Sequence, residues 1–352
     1  MKELDFPIIG TKVEGLTKEF NLADPQQRAL YFEAKAGNEI RDIRKFLEDN
    51  TFVAFLVGKK NSGKGTYSKM FSEIIGEDKF AHVSVGDLVR STHENWSEFT
   101  KSPKYGQLKK LYRGYISFDE AVDAFVGRST EKLLPTEFIL ALLKQHINDL
   151  KGKTIFIDGL PRESDQVSYS LYFRDLIGYR DDPDMFILLD VPESVISERI
   201  KYRVVCPVCE TSRNKKLLIT SHIEYDRDSK QFSLLCDNDG AKMVPKEGDE
   251  LGIEPIRPRL IKDEQILRNV FSIHGIPKVL LRNHVPVSEA QTHFDKYEIT
   301  PEYSFSWDEK AKKTVVHEKP WTIKDDNGVE CNSLLAAPVV VSLVKQLADV
   351  LK

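Results

Sequence analysis

Apolar positions along this chain fall into two rhythms. Short unbroken runs at 52–57, 81–85, 154–157 and 185–189 are rich in β-branched residues, as strands buried on both faces should be. Helix-period segments separate them, so the pattern predicts an α/β doubly wound parallel sheet. Upstream, Asp24 reads as an N-cap with Pro25 at the first helical position. The apolar series Ala29, Phe32, Ala36, Ile40, Ile43, Phe46 and Leu47 then carries a helix to Asn50. Residues 135–150 predict a further helix. Segment 201–257 differs in character, with β-like runs at 217–219 and 232–235 between turn residues. After 268, runs at 303–307, 314–316 and 321–323 predict a hairpin, and a closing helix follows around 339–351. No repeat or low-complexity tract interrupts the series.

Composition narrows the class. A chain of 352 residues buries a sizeable core and has room for insertions. Its net charge of −4 argues against nucleic-acid binding by bulk charge. The apolar runs are too short to cross a bilayer, and the first residues lack the apolar stretch of a secretory signal. Four cysteines in a chain of this size do not make a disulfide scaffold. Together these features predict a cytoplasmic protein, monomeric, with no nucleic-acid or membrane partner.

The strongest chemical signal is the nonapeptide Gly58, Lys59, Lys60, Asn61, Ser62, Gly63, Lys64, Gly65 and Thr66, which fits G-x-x-x-x-G-K. It follows the first predicted strand and opens a predicted helix, the context in which this pattern cradles phosphate. Backbone N–H groups converge on the anion and the helix N-terminus adds positive partial charge. Lys64 is then placed to reach the β- and γ-phosphates as a point charge. Gly65 stands where most such loops carry Ser or Thr.

Three further motifs follow at strand ends. Ser84-Val85-Gly86-Asp87-Leu88-Val89-Arg90 fits S-T-G-D-x-x-R with Val85 in place of Thr. Asp158-Gly159-Leu160-Pro161-Arg162 with Gln166 fits D-G-F-P-R and a following Gln. Asp190-Val191-Pro192 precedes Arg199 and Arg203. With the loop, and in this order, they resemble the adenylate kinases of the long-lid type, in the nucleoside monophosphate kinase family, over about 51–267. The resemblance implies a P-loop core at 51–85, continued at 151–201 and 258–352. It also implies a monophosphate-binding helical arm at 86–150 and a small zinc-ribbon-like lid at 202–257, with 1–50 as a helical extension.

The implied activity is reversible transfer of the γ-phosphoryl of ATP to AMP, with Mg²⁺. ATP then falls to Gly58, Asn61, Ser62, Gly63, Lys64, Gly65, Thr66, Arg199 and Arg203, and AMP to Val85, Gly86, Arg90, Gly159, Arg162 and Gln166. Asp87 and Asp158 orient the magnesium waters, since this ion keeps most of them. Lys64, Arg90, Arg162, Arg199, Arg203 and Arg259 supply the cations that phosphoryl transfer needs. Lys246 replaces an arginine the family has in the lid, keeping the charge and losing the planar fork, with Arg257 as its substitute. Lys60 and Asn61 replace a Pro and a Gly of the loop, and Asn tolerates unusual backbone angles. Pro258 is expected to interrupt a helix that begins there.

Cys206 and Cys209 share the x₂ spacing of Cys236 and Asp239, a pattern suited to structural Zn²⁺. His222 competes with Asp239 for the fourth position, and the lone Cys331 reads as a packed residue. Gln166 favours adenine, because an amide offers one donor and one acceptor. Val85 and the runs at 104–108 and 135–139 instead resemble UMP/CMP kinases, and an insertion around 117–132 falls in the monophosphate-binding arm. From a different class, a zinc-ribbon scaffold that binds ATP without turnover is the competing reading.

Overall fold

The computed structural model describes residues 4–127, 135–150, 152–163, 166–167 and 184–352. Residues 128–132 of the expected insertion lie outside them. Five parallel strands form the central sheet: β1 (Val53–Gly58), β2 (Phe80–Ser84), β3 (Thr154–Asp158), β4 (Asp184–Asp190) and β5 (Lys278–Arg282). Their order is β5-β4-β1-β3-β2, so β1 lies at the centre. Four of the five are the apolar runs read from the sequence. The fifth has only three consecutive apolar residues, at 279–281, between Lys278 and Arg282, too short a run to stand out as a strand.

Period-two alternation along β1 decides which layer each residue joins. Ala54 and Leu56 face a core with Tyr67, Phe71, Ile74 and the helices Pro25–Asp49 and Ala336–Val350. Val53, Phe55 and Val57 face the opposite core, with Leu143, Ile147, Ile266, Leu267 and Val270. The helix Pro25–Asp49 is capped by Asp24, whose side chain accepts from the N–H groups of Gln26 and Gln27. Arg28 anchors it with a two-pronged contact to Glu73, at 2.9 and 3.0 Å. Desolvating two ends of one planar pair in this way gives geometric as well as energetic definition.

Every sheet strand ends on the same edge, where register places Leu56 beside Asp158, Ser84 beside Asp158 and Arg282 beside Asp190. Two excursions leave that edge. Helices Val85–Glu94, Trp96–Phe99, Pro103–Leu111, Phe118–Phe125 and Thr136–Asn148 share an aromatic core that includes Phe118, Phe125 and Phe138. The second contains the strands Arg203–Val205, Ser212–Asn214 and Val244–Pro245 and a hairpin of His222–Asp226 with Gln231–Leu235. Residues 217–219, read from the sequence as β-like, make only a single bridge, Asn214 to Leu218.

The helix Arg257–Ser272 starts with Pro258 in its first turn, where the missing N–H has no intrahelical partner to lose. The expected interruption does not occur. Further along, Pro301–Asp308 pairs with Lys313–Pro320 as the expected hairpin, while Thr322–Lys324 joins Glu330–Ser333 in a separate sheet. No helix among the described residues is long and apolar enough to cross a membrane.

Candidate active site at the strand ends

The loop after β1 has the backbone its residue types suggest. Asn61 takes φ 63°, the left-handed region that Asn tolerates, and Gly63, at φ 101°, precedes the helix Lys64–Ile75. Lys64 folds back and donates to the carbonyls of Gly58 (3.0 Å) and Lys59 (3.1 Å). Its Nζ is also 3.8 Å from Asp158. Burial pulls the Lys64 ammonium below its ordinary titration range, with the nearby Asp158 and Asp263 opposing that shift and Arg259 and Arg162 adding to it. Ser62 is buried, while Gly65 and Thr66 stand at the exposed mouth of the loop.

Arg162 lies in a slot made by two glycines. A Cβ on Gly86 would meet its Nη2 at 2.7 Å, and one on Gly159 would meet it at 2.6 Å. Gly159 also takes φ 90°. Among the described residues, the Arg162 Nε is buried without a hydrogen-bond partner. Burial lowers the pKa of Arg162, and the neighbouring Arg259 lowers it further. Arg259 therefore lies close enough to disfavour the charged forms of both Lys64 and Arg162, a state that an anion relieves.

Gln166 is buried and turns both ends of its amide inward. Its Oε1 accepts from the Arg162 N–H at 2.8 Å, and its Nε2 donates to Thr136 Oγ1 at 3.1 Å. Val85 is buried at the start of its helix, whose N-cap Ser84 accepts from the Asp87 N–H. Arg90 pairs with Asp87 at 2.8 Å, and both are well exposed.

Three further arginines differ in how they are held. Arg199 Nη1 donates to the Ser62 carbonyl at 3.5 Å, the limit of a hydrogen bond. Arg203 is clamped by Asp249 through Nε (2.5 Å) and Nη2 (2.7 Å). Arg259 pairs with Asp263 at 2.7 Å. Lys246 is exposed, and Arg257 is engaged by Glu254 and lies 3.6 Å from Glu193.

Sequence reasoning missed two groups behind the loop. Asp263 Oδ2 accepts the Lys60 N–H at 2.8 Å, so one carboxylate joins the loop to Arg259. The Arg259–Asp263 spacing of four on a helix was a legible sign of pairing, though not of the loop contact. The second group is Lys59, which is 1% exposed and meets Glu193, Glu264 and Asp326 at 3.2, 3.2 and 3.1 Å. Burial alone would lower the Lys59 pKa, but Asp326, Glu264 and Glu193 outweigh it and raise it.

In the second excursion, Cys206, Cys209, Cys236 and Asp239 gather with their ligand-type atoms within 4.8 Å of one another. Cys209 and Cys236 sulfurs are 3.5 Å apart, and Cys206 Sγ is 3.3 Å from Asp239 Oδ2. Two matching turns present them: Glu210 N–H donates to the Cys206 carbonyl and Gly240 N–H to that of Cys236. Three sulfurs and one carboxylate suit a tetrahedral cation such as Zn²⁺. His222 is not part of this cluster. Cys331 is buried as expected. It shares a second close set with His284 and Asp325, but Arg282 Nε already donates to His284 Nε2 there, at 3.3 Å.

A parallel sheet with a phosphate-type loop at its central strand end, and half-buried cations converging beside it, has the architecture of a P-loop kinase fold. A family model described as an AAA domain matches residues 57–204. The chain is similar to the adenylate kinases. It is 27% identical to the adenylate kinase of Mycoplasma mycoides subsp. mycoides SC over 211 residues, which cover 60% of this chain and 82% of that protein. With the adenylate kinase of Hydrogenobaculum sp. it shares 25% over 213 residues, 60% and 83% of the two chains. With that of Clostridium acetobutylicum the figures are 26% over 238 residues, 64% and 93%.

Proposed function

We propose that the protein transfers the γ-phosphoryl of ATP to AMP, reversibly giving two ADP. The observation that carries this reading is the crowding of Lys64, Arg162 and Arg259 at one sheet edge, with Arg162 Nε buried and unpartnered among the described residues. Two phosphorylated substrates placed end to end would neutralise that charge. Lys64 would leave the carbonyls of Gly58 and Lys59 for the β- and γ-phosphates, while Arg90 and Arg162 hold the monophosphate. Arg199, Arg203, Arg259 and Lys246 would complete the cation set as the lid (202–257) and the arm (86–150) close. Closure excludes water, the competing acceptor.

Magnesium, when bound with ATP, supplies charge neutralisation across the phosphates. Asp87 and Asp158 would orient its waters. Catalysis on this reading is positioning plus electrostatics, so no dedicated general base is assigned. Zn²⁺ at Cys206, Cys209, Cys236 and Asp239 would hold the lid together, since a site with all four positions filled is structural.

Base choice has a second reading. Gln166 already bonds Arg162 and Thr136, so reading adenine requires exchanging at least one of them for the base. With Val85 in place of Thr, that makes a pyrimidine monophosphate the second reading behind AMP. Lys64→Ala and Arg162→Ala test the site itself: each should abolish turnover while circular dichroism stays unchanged. Near-parental rates in either folded variant would rule out the assignment.

A further inference from the structure

We propose that Asp263 is a positioning residue for phosphoryl transfer, holding Arg259 beside the nucleotide loop. The proposal rests on reading that loop and Arg259 as parts of the transfer site.

The helix Arg257–Ser272 carries Asp263 on the face where the other buried residues are apolar. Leu260, Ile266, Leu267 and Val270 lie at helical spacing from it, and Asp263 is itself only 7% exposed. Ile266, Leu267 and Val270 pack in one core with Val53, Phe55 and Val57 of β1, so this helix is docked against the strand that leads into the loop. A carboxylate at such a position is costly unless its oxygens are bonded or paired. Both are engaged here, each by a different part of the site.

Asp263 Oδ2 accepts the Lys60 N–H at 2.8 Å, and Oδ1 lies 2.7 Å from Arg259 Nε. The first bond reaches the loop backbone, 203 positions upstream, and the second joins residues one helical turn apart. Lys60 takes the place of a Pro in the loop pattern, and a Pro would have no N–H to give. The loop of this chain thus has a donor that the pattern it resembles lacks, and Asp263 accepts from it.

Charge places the pair beside both groups assigned to phosphate. Arg259 disfavours the charged forms of Lys64 and Arg162, while Asp263 favours them. The Arg259 side chain is 37% exposed, so without a tether it is free to swing towards solvent. Asp263 fixes it: one oxygen is tied to the loop and the other holds the guanidinium. Arg259 therefore stays in register with the loop that carries Lys64 before nucleotide arrives. A cation held in this way acts on charge that develops during transfer. Its misplacement should be felt in kcat more than in the KM for MgATP.

The test is steady-state transfer from MgATP by the full chain, with whichever of AMP, CMP, UMP and GMP it phosphorylates fastest. The variants are Asp263→Asn, Arg259→Ala and both together. Asp263→Asn keeps the shape and one oxygen for the Lys60 N–H, and removes the charge that holds Arg259. Its kcat is expected to fall about tenfold, as for a small misplacement of a catalytic group, with the KM for MgATP at the parental value. The double variant should be no slower than Arg259→Ala alone, because Asp263 acts through that residue. Hydrogen exchange of the nucleotide-free chain reads the other bond. Exchange at the Lys60 amide should rise about tenfold in Asp263→Ala and stay parental in Asp263→Asn.

A parental kcat in folded Asp263→Asn overturns the proposal. So does a double variant slower than Arg259→Ala by the full Asp263→Asn factor, the mark of a general structural role. Parental exchange at Lys60 in folded Asp263→Ala overturns it as well. In a chain that transfers phosphoryl, these results remove the positioning role and leave the site reading standing. A parental chain that transfers to no acceptor removes both.

Discussion

Trp307 stacks on Tyr225 with ring centroids 4.7 Å apart and planes 19° from parallel. Arg227 lies over the same indole at 5.4 Å. Phe305 and Phe232 extend the contact, and the Tyr303 N–H donates to the Lys216 carbonyl at 2.8 Å. The hairpin Pro301–Asp308 with Lys313–Pro320 is therefore docked along the strands of residues 203–245, which would otherwise stand on a small apolar core of their own.

Trp307→Ala should loosen that docking. Aromatic pairs contribute about 0.5–1.5 kcal/mol beyond the area they bury. Hydrogen exchange in the hairpin His222–Asp226 with Gln231–Leu235 is expected to speed up by about three- to tenfold, the kinetic equivalent of that energy. Exchange at the parental rate would show that the stack contributes nothing to holding those strands.

Phe156 is a core position with no bearing on chemistry. It is fully buried on β3, stacked on Phe71 at 4.9 Å and edge-on to Phe80 at 4.8 Å. Phe156→Ala should cost about 3–5 kcal/mol in urea unfolding, the usual range for an aromatic truncated in a packed core. A loss under about 1 kcal/mol would mean that this core collapses readily around the missing ring.

Acid stability has a defined contributor in Glu264. Burial alone would raise its pKa, but Arg268 and Lys59 prevail and hold it below its ordinary 4.5. The depressed value means that its stabilising contribution is full above the unfolded value and is lost as pH falls through the folded one. Glu264→Gln should therefore melt below the parent at neutral pH and draw closer to it as pH falls further below 4.5. A melting difference that stays constant from neutral to acid pH would contradict this.

If the lid cluster holds zinc, purified protein should carry stoichiometric metal, and Cys236→Ser should lose it. Mass spectrometry of metal content reads this directly, and hydrogen exchange in the lid should rise with the loss. Metal-free protein with a protected lid would leave the four residues as a packing cluster only.

The sequence made the sheet and the loop legible for specific reasons. Runs such as 52–57 are apolar at every position because both faces are covered. Gly63 and Asn61 announced the backbone angles that the loop adopts. The strand Lys278–Arg282 gave no such signal, because its charged ends and short length resemble a surface turn. Lys59 was hidden for another reason: two of its three partners, Glu193 and Asp326, lie 134 and 267 positions away, and no local pattern records an ion pair across such distances. Asp263 was visible as a helix partner for Arg259, but its bond to the Lys60 N–H depends on how the helix docks beside β1. The Cys206 and Cys236 pairs were legible because ligand spacing is local, and docking of the 301–320 hairpin on the strands of residues 203–245 was not.

Phosphoryl transfer from MgATP is the measurement that bears most directly on the central claim. ADP formation would be followed with AMP, CMP, UMP and GMP offered singly to the full chain. Rapid transfer to AMP, abolished by Lys64→Ala, is the predicted result. Transfer confined to CMP or UMP would keep the mechanism and replace the substrate. No transfer to any acceptor, from a chain that still binds MgATP, would contradict the account and leave an ATP-binding scaffold in its place.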